Sequence, residues 1–440
     1  LSTAPDIIFF WVARMIMGGI EFMEGYEMKD GTKRTKLEDR IPFRDVYFHN
    51  VIRDQQGRKM SKSLGNSPDP LDLVAKYGTD AVRFTLLYLA PLGQDVRFGE
   101  ESCEMGRNFA NKLWNATRFV LMKLAEFEAT QPKVQFEAED TELLNSMATR
   151  PQEIIRRPTE GFTYKPATTL ADKWMMSRAN RAALDIRKAF DAYEINEVTK
   201  IIYEFVWKDY CDWYLEVVKV QPESTPLAVE ILEGSLRLIH PIMPFVTEEL
   251  WHALTDAPIH VLMGKDDFVT GDKYKIDLEA EQKFEFVQRV IEAVRLLRAS
   301  NNFAPSKSIE LIISVKDDKD AELLNEARTI IEKLTRASSF EVRTGATELS
   351  STEYASELIG GRGQAFLKLE QRSEADKIKE RERLQKELER IRVQLNAVSA
   401  KLGNEGFVAR APEQVIVKER EKETSYREQI QKLESTLAQL

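Results

Sequence analysis

Apolar positions recur every three or four residues in four long stretches of the chain, 105–127, 173–191, 196–219 and 227–255. That period places them on one face of a helix, so four stripes in succession predict an α-helical bundle. Between the first two, residues 129–171 carry Pro132, Pro151, Pro158, Gly161 and Pro166 and read as a long irregular insertion. Ahead of the bundle the pattern changes. Ile7 to Phe10 is apolar and β-prone, and Trp11, Val12 and Met15 follow at helical spacing, so a buried strand turning into a helix is expected. Val46-Tyr47-Phe48 and Val51-Ile52 form a second β-prone segment. Pro68-Asp69-Pro70 opens a short helix through Tyr77, and Gly78 ends it. Thr79 or Asp80 is then expected to cap a helix carrying Val82, Phe84, Leu86, Leu87 and Leu89.

Beyond the bundle, 282–299 reads as a helix, Ile309 to Val315 as a strand, 321–335 as a helix and Phe340-Glu341-Val342 as a second strand, together a small α/β unit. The tail is the strongest periodic signal. Leu384, Leu388, Ile391, Leu395, Val398 and Leu402 step by 4, 3, 4, 3, 4, and Tyr426, Ile430, Leu433, Leu437 and Leu440 step by 4, 3, 4, 3. Gly403, Gly406 and Pro412 separate the two heptad runs, which predicts an antiparallel coiled-coil hairpin.

Composition narrows the classes. The 440 residues are 43% apolar and 31% charged, an ordinary globular balance that excludes wholesale disorder, collagen and a disulfide scaffold. Two distant cysteines, Cys103 and Cys211, make no CxxC pair, so no protein-bound metal is expected and a reducing, cytoplasmic setting is. The apolar segment Ile7–Ile20 is interrupted by Arg14 and is too short to span a bilayer. The net charge of −9 means that any nucleic-acid contact must rest on local basic patches. The tail is such a patch, since residues 371–440 hold 15 basic against 13 acidic side chains, a local charge of +2. Residue 1 is Leu, and the chain opens almost directly on a core-like segment, so a stretch from within a longer protein is expected.

One loop carries candidate chemistry. Lys59-Met60-Ser61-Lys62-Ser63 sets two ammonium groups three residues apart beside two hydroxyls, with Gly57 and Gly65 on either side. Glycines let such a loop approach a phosphate closely, and lysines on flexible stems can neutralise charge developing on a leaving pyrophosphate. Two lysines in a loop are in themselves more often a solvated basic turn. The whole string KMSKSLGN, after a β-prone segment and before a Pro-started helix, reverses those odds.

KMSKS resembles the second signature loop of class I aminoacyl-tRNA synthetases, and the chain is similar to the bacterial valyl family among them. The likeness includes Asp6 to Ile16 (DIIFFWVARMI), Gly78 to Phe84 (GTDAVRF), Asn111 to Asn115 (NKLWN), Cys211 to Leu215 (CDWYL) and the hairpin turn Asn404 to Pro412 (NEGFVARAP). It covers nearly the whole chain and is weakest in 129–171 and 316–365. Isoleucyl relatives look similar around KMSKS but typically end in a cysteine-rich zinc module, which two distant cysteines cannot build.

The resemblance implies ATP-dependent activation of valine to an adenylate and transfer to the terminal ribose of tRNA(Val). ATP, accompanied by Mg2+, is then a substrate. Lys59 and Lys62 are the implied catalytic and ATP-binding residues, Lys62 foremost, with Ser61 beside them. Asp6 contacts the adenosine ribose or serves as a helix N-cap. Ile7 and Trp11 line the valine pocket or pack a core. The implied fold is the C-terminal part of a Rossmann-like, doubly wound α/β catalytic domain (1–100), an anticodon-binding helical bundle (101–265), the small α/β unit (266–370) and a coiled-coil tRNA-binding arm (371–440). Trp207, Trp213 and Tyr214 stack on bases or belong to the bundle core. A monomer is expected, with tRNA(Val), valine and an N-terminal half of the synthetase as partners and no membrane.

The departures matter as well. The four histidines, His49, His240, His252 and His260, are not followed by xGH, so the first class I signature is not among these residues. Nor is there room before Asp6 for an inserted editing domain, although a valine-shaped pocket rejects threonine only about a hundredfold. Ala4-Pro5 and Asn50 stand where relatives often carry Gly. The chain alone is therefore expected to be inactive. The alternatives are a non-catalytic tRNA-binding protein derived from a synthetase and, against the intact KMSKSLGN string, a coiled-coil interaction protein.

Overall fold

Ser2–Thr3 (β1) pairs in parallel with Tyr47–Phe48 (β2), and Ile52–Arg53 (β3) pairs in parallel with Val96–Arg97 (β4). Parallel neighbours need crossovers, and the intervening chain supplies them. These elements belong to a computed structural model that describes residues 1–61, 63–91, 93–130, 169–255, 271–304, 306–369 and 374–403, positions 263 and 269, and short pieces between 416 and 434. Of the expected insertion 129–171, residues 131–168 lie outside the described residues, as does the hairpin turn at 404–412, while Thr130 and Leu170 at its two ends are helical. The chain divides into two units, Leu1–Ala346 with Glu357–Ala365, and Thr347–Ser356 with Phe366–Leu440.

In the first unit the strand expected at Ile7–Phe10 does not form. Pro5–Ile7 is a 3-10 turn, Ile8–Val12 is π-helical, and α1 (Ala13–Phe22) follows. Pro5 takes the first helical position, where its fixed φ is an advantage. The apolar run has no alternation to present to a sheet, and β propensity is a weak preference without one. In α2 (Pro70–Tyr77) Asp69 accepts from the Leu71 amide at 2.8 Å, and Gly78, at φ 92, closes the helix. Gly78 also begins α3 (Thr79–Tyr88), so neither Thr79 nor Asp80 caps it. Asp80 reaches instead to a helix 165 residues on.

The bundle begins with α4 (Cys103–Thr130), which packs on α3. Gly106 makes that approach possible, because a Cβ there would lie 2.3 Å from the Ala81 carbonyl oxygen. Phe84 and Phe109, both fully buried, meet at the same joint with ring centroids 4.9 Å apart. A reciprocal pair of bonds between Thr169 and Asp172 starts α5 (Leu170–Asp191). Next, α6 (Ile195–Glu204) runs into a π-helical stretch, Phe205–Tyr214, and a last α-turn, Leu215–Val218.

The fourth stripe is two helices, α7 (Thr225–Ile239) and α8 (Pro244–Thr255). Pro241 and Pro244 have no N–H to continue α7, and Pro244 suits the first position of α8. Every residue of α7 is buried, which makes it the bundle's central helix. Its charges are satisfied inside. Arg237 Nε donates to Glu233 Oε1 at 2.7 Å and Trp251 Nε1 donates to the same oxygen at 2.8 Å, with Glu233 and Arg237 side chains each only 2% exposed. Asp277 caps α9 (Leu278–Ser300), which packs on α5.

The expected α/β unit is present with more strands than its sequence pattern suggests. Among the described residues β5 (Ile309–Val315) runs parallel to β6 (Ala337–Thr344), Leu311 opposite Phe340. The connection holds two helices rather than one, α10 (Asp318–Glu326) and α11 (Arg328–Thr335), separated at Ala327. With β7 (Tyr354–Ile359) and β8 (Gly363–Lys368) the sheet order is β6-β5-β8-β7.

The second unit carries α12 (Glu374–Leu402), whose heptad residues Leu388, Ile391 and Val398 are buried. Arg392 pairs with Glu434 at 2.7 Å, and Ser399 donates to Glu423 at 2.8 Å. As one side advances from 392 to 399 the other retreats from 434 to 423, an antiparallel course. Among the described residues no helix is long and apolar enough to cross a membrane.

Candidate active site

A short hairpin presents the lysine loop. Arg53 and Lys59 form an antiparallel bridge across a turn in which Gly57, at φ 79, donates its amide to the Asp54 carbonyl at 2.9 Å. A positive φ is what glycine supplies at that position. Asp54 is 7% exposed, and its side chain accepts three bonds. They come from Asn66 Nδ2 at 2.9 Å, from the Arg58 amide at 2.8 Å and from Arg58 Nε at 2.7 Å. The Asn66 bond above all, then those from Arg58, hold the Asp54 carboxyl down at about 2. Asn66 also donates to the Lys59 carbonyl at 3.3 Å and accepts from the Ser61 amide at 2.9 Å. Asp54 and Asn66 together therefore fix the backbone at the start of the loop.

Ser61 turns its hydroxyl inward, accepting from the Leu64 amide at 3.3 Å and lying 3.2 Å from the Ser63 hydroxyl. Lys59 Nζ stands 3.3 Å from Asp6 Oδ2, both side chains more than half exposed. An exposed pair of this kind contributes about 0–1 kcal/mol, so a phosphate oxygen can displace Asp6 from Lys59 without a large penalty. Asp6 is not an N-cap. Ala4 occupies that place and no side chain caps the turn. Of the expected site residues, then, Lys59 and Asp6 come together, Ser61 closes the loop on itself, and Lys62 lies outside the described residues.

Ile7 is 41% and Trp11 54% exposed, next to Phe9 at 85%, so neither is buried among the described residues. Asn50 donates its side-chain amide to the Pro91 carbonyl, which ties it to backbone. Asp54 and Asn66 were not singled out from the sequence. The available signals are Asn66 inside KMSKSLGN and a turn from Asp54 to Gly57; neither shows that the two side chains meet.

The bundle aromatics divide. Tyr214 is fully buried and donates to Asp172 Oδ1 at 2.7 Å, and burial pushes its phenol well above its ordinary value. It is a core residue and cannot stack on a base. Trp207 stacks on Tyr203 with centroids 5.3 Å apart and lies under Lys112 Nζ at 4.8 Å. Trp213 is half-buried beneath the Arg295 guanidinium at 5.3 Å. Among the described residues no group of three His, Cys, Asp or Glu side chains could hold a metal ion.

Comparison with known proteins follows the same order along the chain. Residues 1–99 match the family of class I tRNA synthetases for isoleucine, leucine, methionine and valine. Residues 172–313 match the anticodon-binding domain of tRNA ligases, and 376–440 the valyl tRNA synthetase tRNA-binding arm. The valine–tRNA ligase of Chlorobaculum tepidum is 36% identical over 99% of this chain and 45% of its own length. That of Fusobacterium nucleatum is 35% identical over 99% of the chain and 45% of its length. That of Bacillus subtilis is 34% identical over 97% and 44%. The chain thus spans less than half the length of these curated relatives.

Proposed function

We propose, from the premise that the chain belongs to the valyl-tRNA synthetase family of class I, that it carries the lysine-loop side of the ATP site and the tRNA-facing elements of a valine–tRNA ligase. The reaction is activation of valine with ATP to valyl-adenylate, then transfer to tRNA(Val). The observation that carries this reading is the Asp54–Asn66 clamp, which holds Lys59 at the mouth of its loop with only an exposed carboxylate to displace.

In that reading Lys59 leaves Asp6 for the β-phosphate as the α–β bond breaks and neutralises the charge that pyrophosphate gains. Asp6, so released, is free to accept from the ribose hydroxyls. Lys62 is assigned the same phosphate role by its place in the motif, and Ser61 keeps the loop in register. Ile7 and Trp11 offer exposed apolar surface to the valine side chain. We read residues 1–100 as the back of a Rossmann-like domain, 101–265 as the anticodon-binding bundle, 266–370 as the small α/β unit and 371–440 as the tRNA-binding arm.

The test has two parts. Filter binding of tRNA(Val) to the 440-residue chain should show retention at low salt that falls linearly on logarithmic axes as salt rises. Valine-dependent ATP–pyrophosphate exchange should be absent from the chain alone and appear when the N-terminal half of a related synthetase is added. No tRNA retention would overturn the tRNA assignment, and no exchange after complementation would leave a non-catalytic tRNA-binding protein.

A further inference from the structure

Three cations from three separate stretches of chain stand in one row beside the lysine loop. Arg97 on β4 is paired with Arg53 on β3, and Arg53 is bridged in turn to Lys59 on the returning arm of the hairpin. Residues directly opposite one another on neighbouring strands share a face, so all three side chains leave the same side of this ribbon. Neighbouring strands lie about 4.8 Å apart, which puts the backbones of Arg97 and Lys59 about 10 Å from each other. Two long side chains can close that gap between them.

The three are not neutralised alike. Asp95, two residues before Arg97 and therefore on the same face, takes Arg53. Lys59 has the exposed Asp6, at 3.3 Å. Arg97 is exposed and has no hydrogen-bond or carboxylate partner among the described residues. Like charges set directly opposite on adjacent strands repel, and Asp95 offsets one of the two arginines only. Arg97 is nevertheless laid against the protein. Its Nε and Nη2 lie 3.7 Å and its Cζ 3.9 Å from where a Cβ would stand on Gly57, so the guanidinium plane rests flat on the turn that leads into the lysine loop. Its donor edge stays free. An oriented fork with unused donors beside a point cation suits two neighbouring phosphates, the fork taking two oxygens of one and the ammonium the other.

We infer that Arg97 is a further phosphate-binding residue of the ATP site, taking the terminal γ-phosphate while Lys59 takes the β-phosphate. The inference rests on the ATP-site reading above and adds to it a residue outside KMSKSLGN, on a strand that follows α3. When the valine carboxylate attacks the α-phosphorus, the bond from that phosphorus to the α–β bridging oxygen breaks, and its electron pair leaves with pyrophosphate. Arg97 forms no bond in that step. It holds the far end of the leaving group, so its contact is present with ATP and with pyrophosphate and absent with AMP.

The test is calorimetry on the full chain at low salt with pyrophosphate, ATP, ADP and AMP, comparing wild type with Arg97→Gln, Arg97→Lys and Lys59→Gln. Arg97→Gln should bind pyrophosphate and ATP at least about tenfold more weakly, the loss expected for a charged hydrogen bond, with ADP less affected and AMP unchanged. Arg97→Lys should recover part of the loss, because it restores the charge but not the fork. A merely structural role would lower AMP affinity and melting temperature along with pyrophosphate affinity, and that result would overturn the assignment. Equal pyrophosphate binding by wild type and Arg97→Gln, with Lys59→Gln weakened, would also overturn it and leave the lysine-loop reading standing. No weakening in either variant, or no pyrophosphate binding by wild type, would overturn both.

Discussion

Asp80 accepts hydrogen bonds from the backbone amides of Phe245 and Val246, at 3.3 and 2.6 Å, and so caps the first turn of α8 from across the fold. Arg83, one turn along α3, donates to the carbonyls of Ile242 and Pro241 at the end of the preceding turn, both at 3.0 Å. The Asp and the Arg of GTDAVRF thus hold the two sides of the α7–α8 corner. Helix start and chain reversal are both anchored by residues from the region that matches the catalytic family.

A first prediction concerns that joint. Asp80→Ala should destabilise the fold by about 1–2 kcal/mol in urea unfolding, the usual range for a lost N-cap. Asp80→Asn keeps an acceptor and should recover most of the difference. Equal stability of the alanine variant and wild type would show that the α8 amides find other partners.

The lysine loop should be insensitive to mild acid. The Asp54 carboxyl is depressed to about 2, so its contribution is complete above the ordinary carboxylate value near 4 and is lost only as pH falls from there through about 2. Backbone amide exchange at Arg58 and Lys59 should therefore show the same protection factor from pH 8 to about pH 5. Asp54→Ala should lose that protection at neutral pH while the bundle remains intact.

Asp6 and Lys59 make opposite predictions for two ligands. Asp6→Asn removes the competitor of Lys59, so pyrophosphate, measured by calorimetry, should bind up to about fivefold tighter, the limit set by an exposed ion pair. If Asp6 holds the ribose, the same variant should bind ATP no better or more weakly. Weaker binding of pyrophosphate would mean that Asp6 orders the loop rather than competing for it.

Inside the bundle, Glu233 receives both Arg237 and Trp251 in a buried setting. Glu233→Ala should cost about 3–5 kcal/mol, read as a fall in denaturant midpoint, because a buried pair is broken from one side. A loss below 1 kcal/mol would show that the site rearranges.

The two thiols should be silent in the native protein. Burial, before any neighbouring charge, pushes Cys211 up to about 12, and burial likewise raises Cys103. Ellman's reagent should find no fast-reacting thiol under native conditions and two after denaturation.

The sequence by itself determined the helical stripes, the Asp69 and Gly78 ends of α2, the strand Ile309–Val315, the heptad tail and the lysine loop. Each of these rests on contacts within a few residues or on a period that survives in one dimension. What only the tertiary structure decided depends on partners far away in the chain. Ile7–Phe10 is helical, and among the described residues no strand pairs with it, whatever its β propensity. Tyr214 is core because Asp172 meets its hydroxyl, while Trp213, one residue earlier, faces Arg295. Asp80 caps a helix other than its own because the fold brings the α8 amides within reach before any local donor does. The lysine loop was legible as a string, but its shape comes from Asp54 and Asn66. One of these lies five residues before the loop in a turn, and only folding sets its carboxylate against both Arg58 and Asn66.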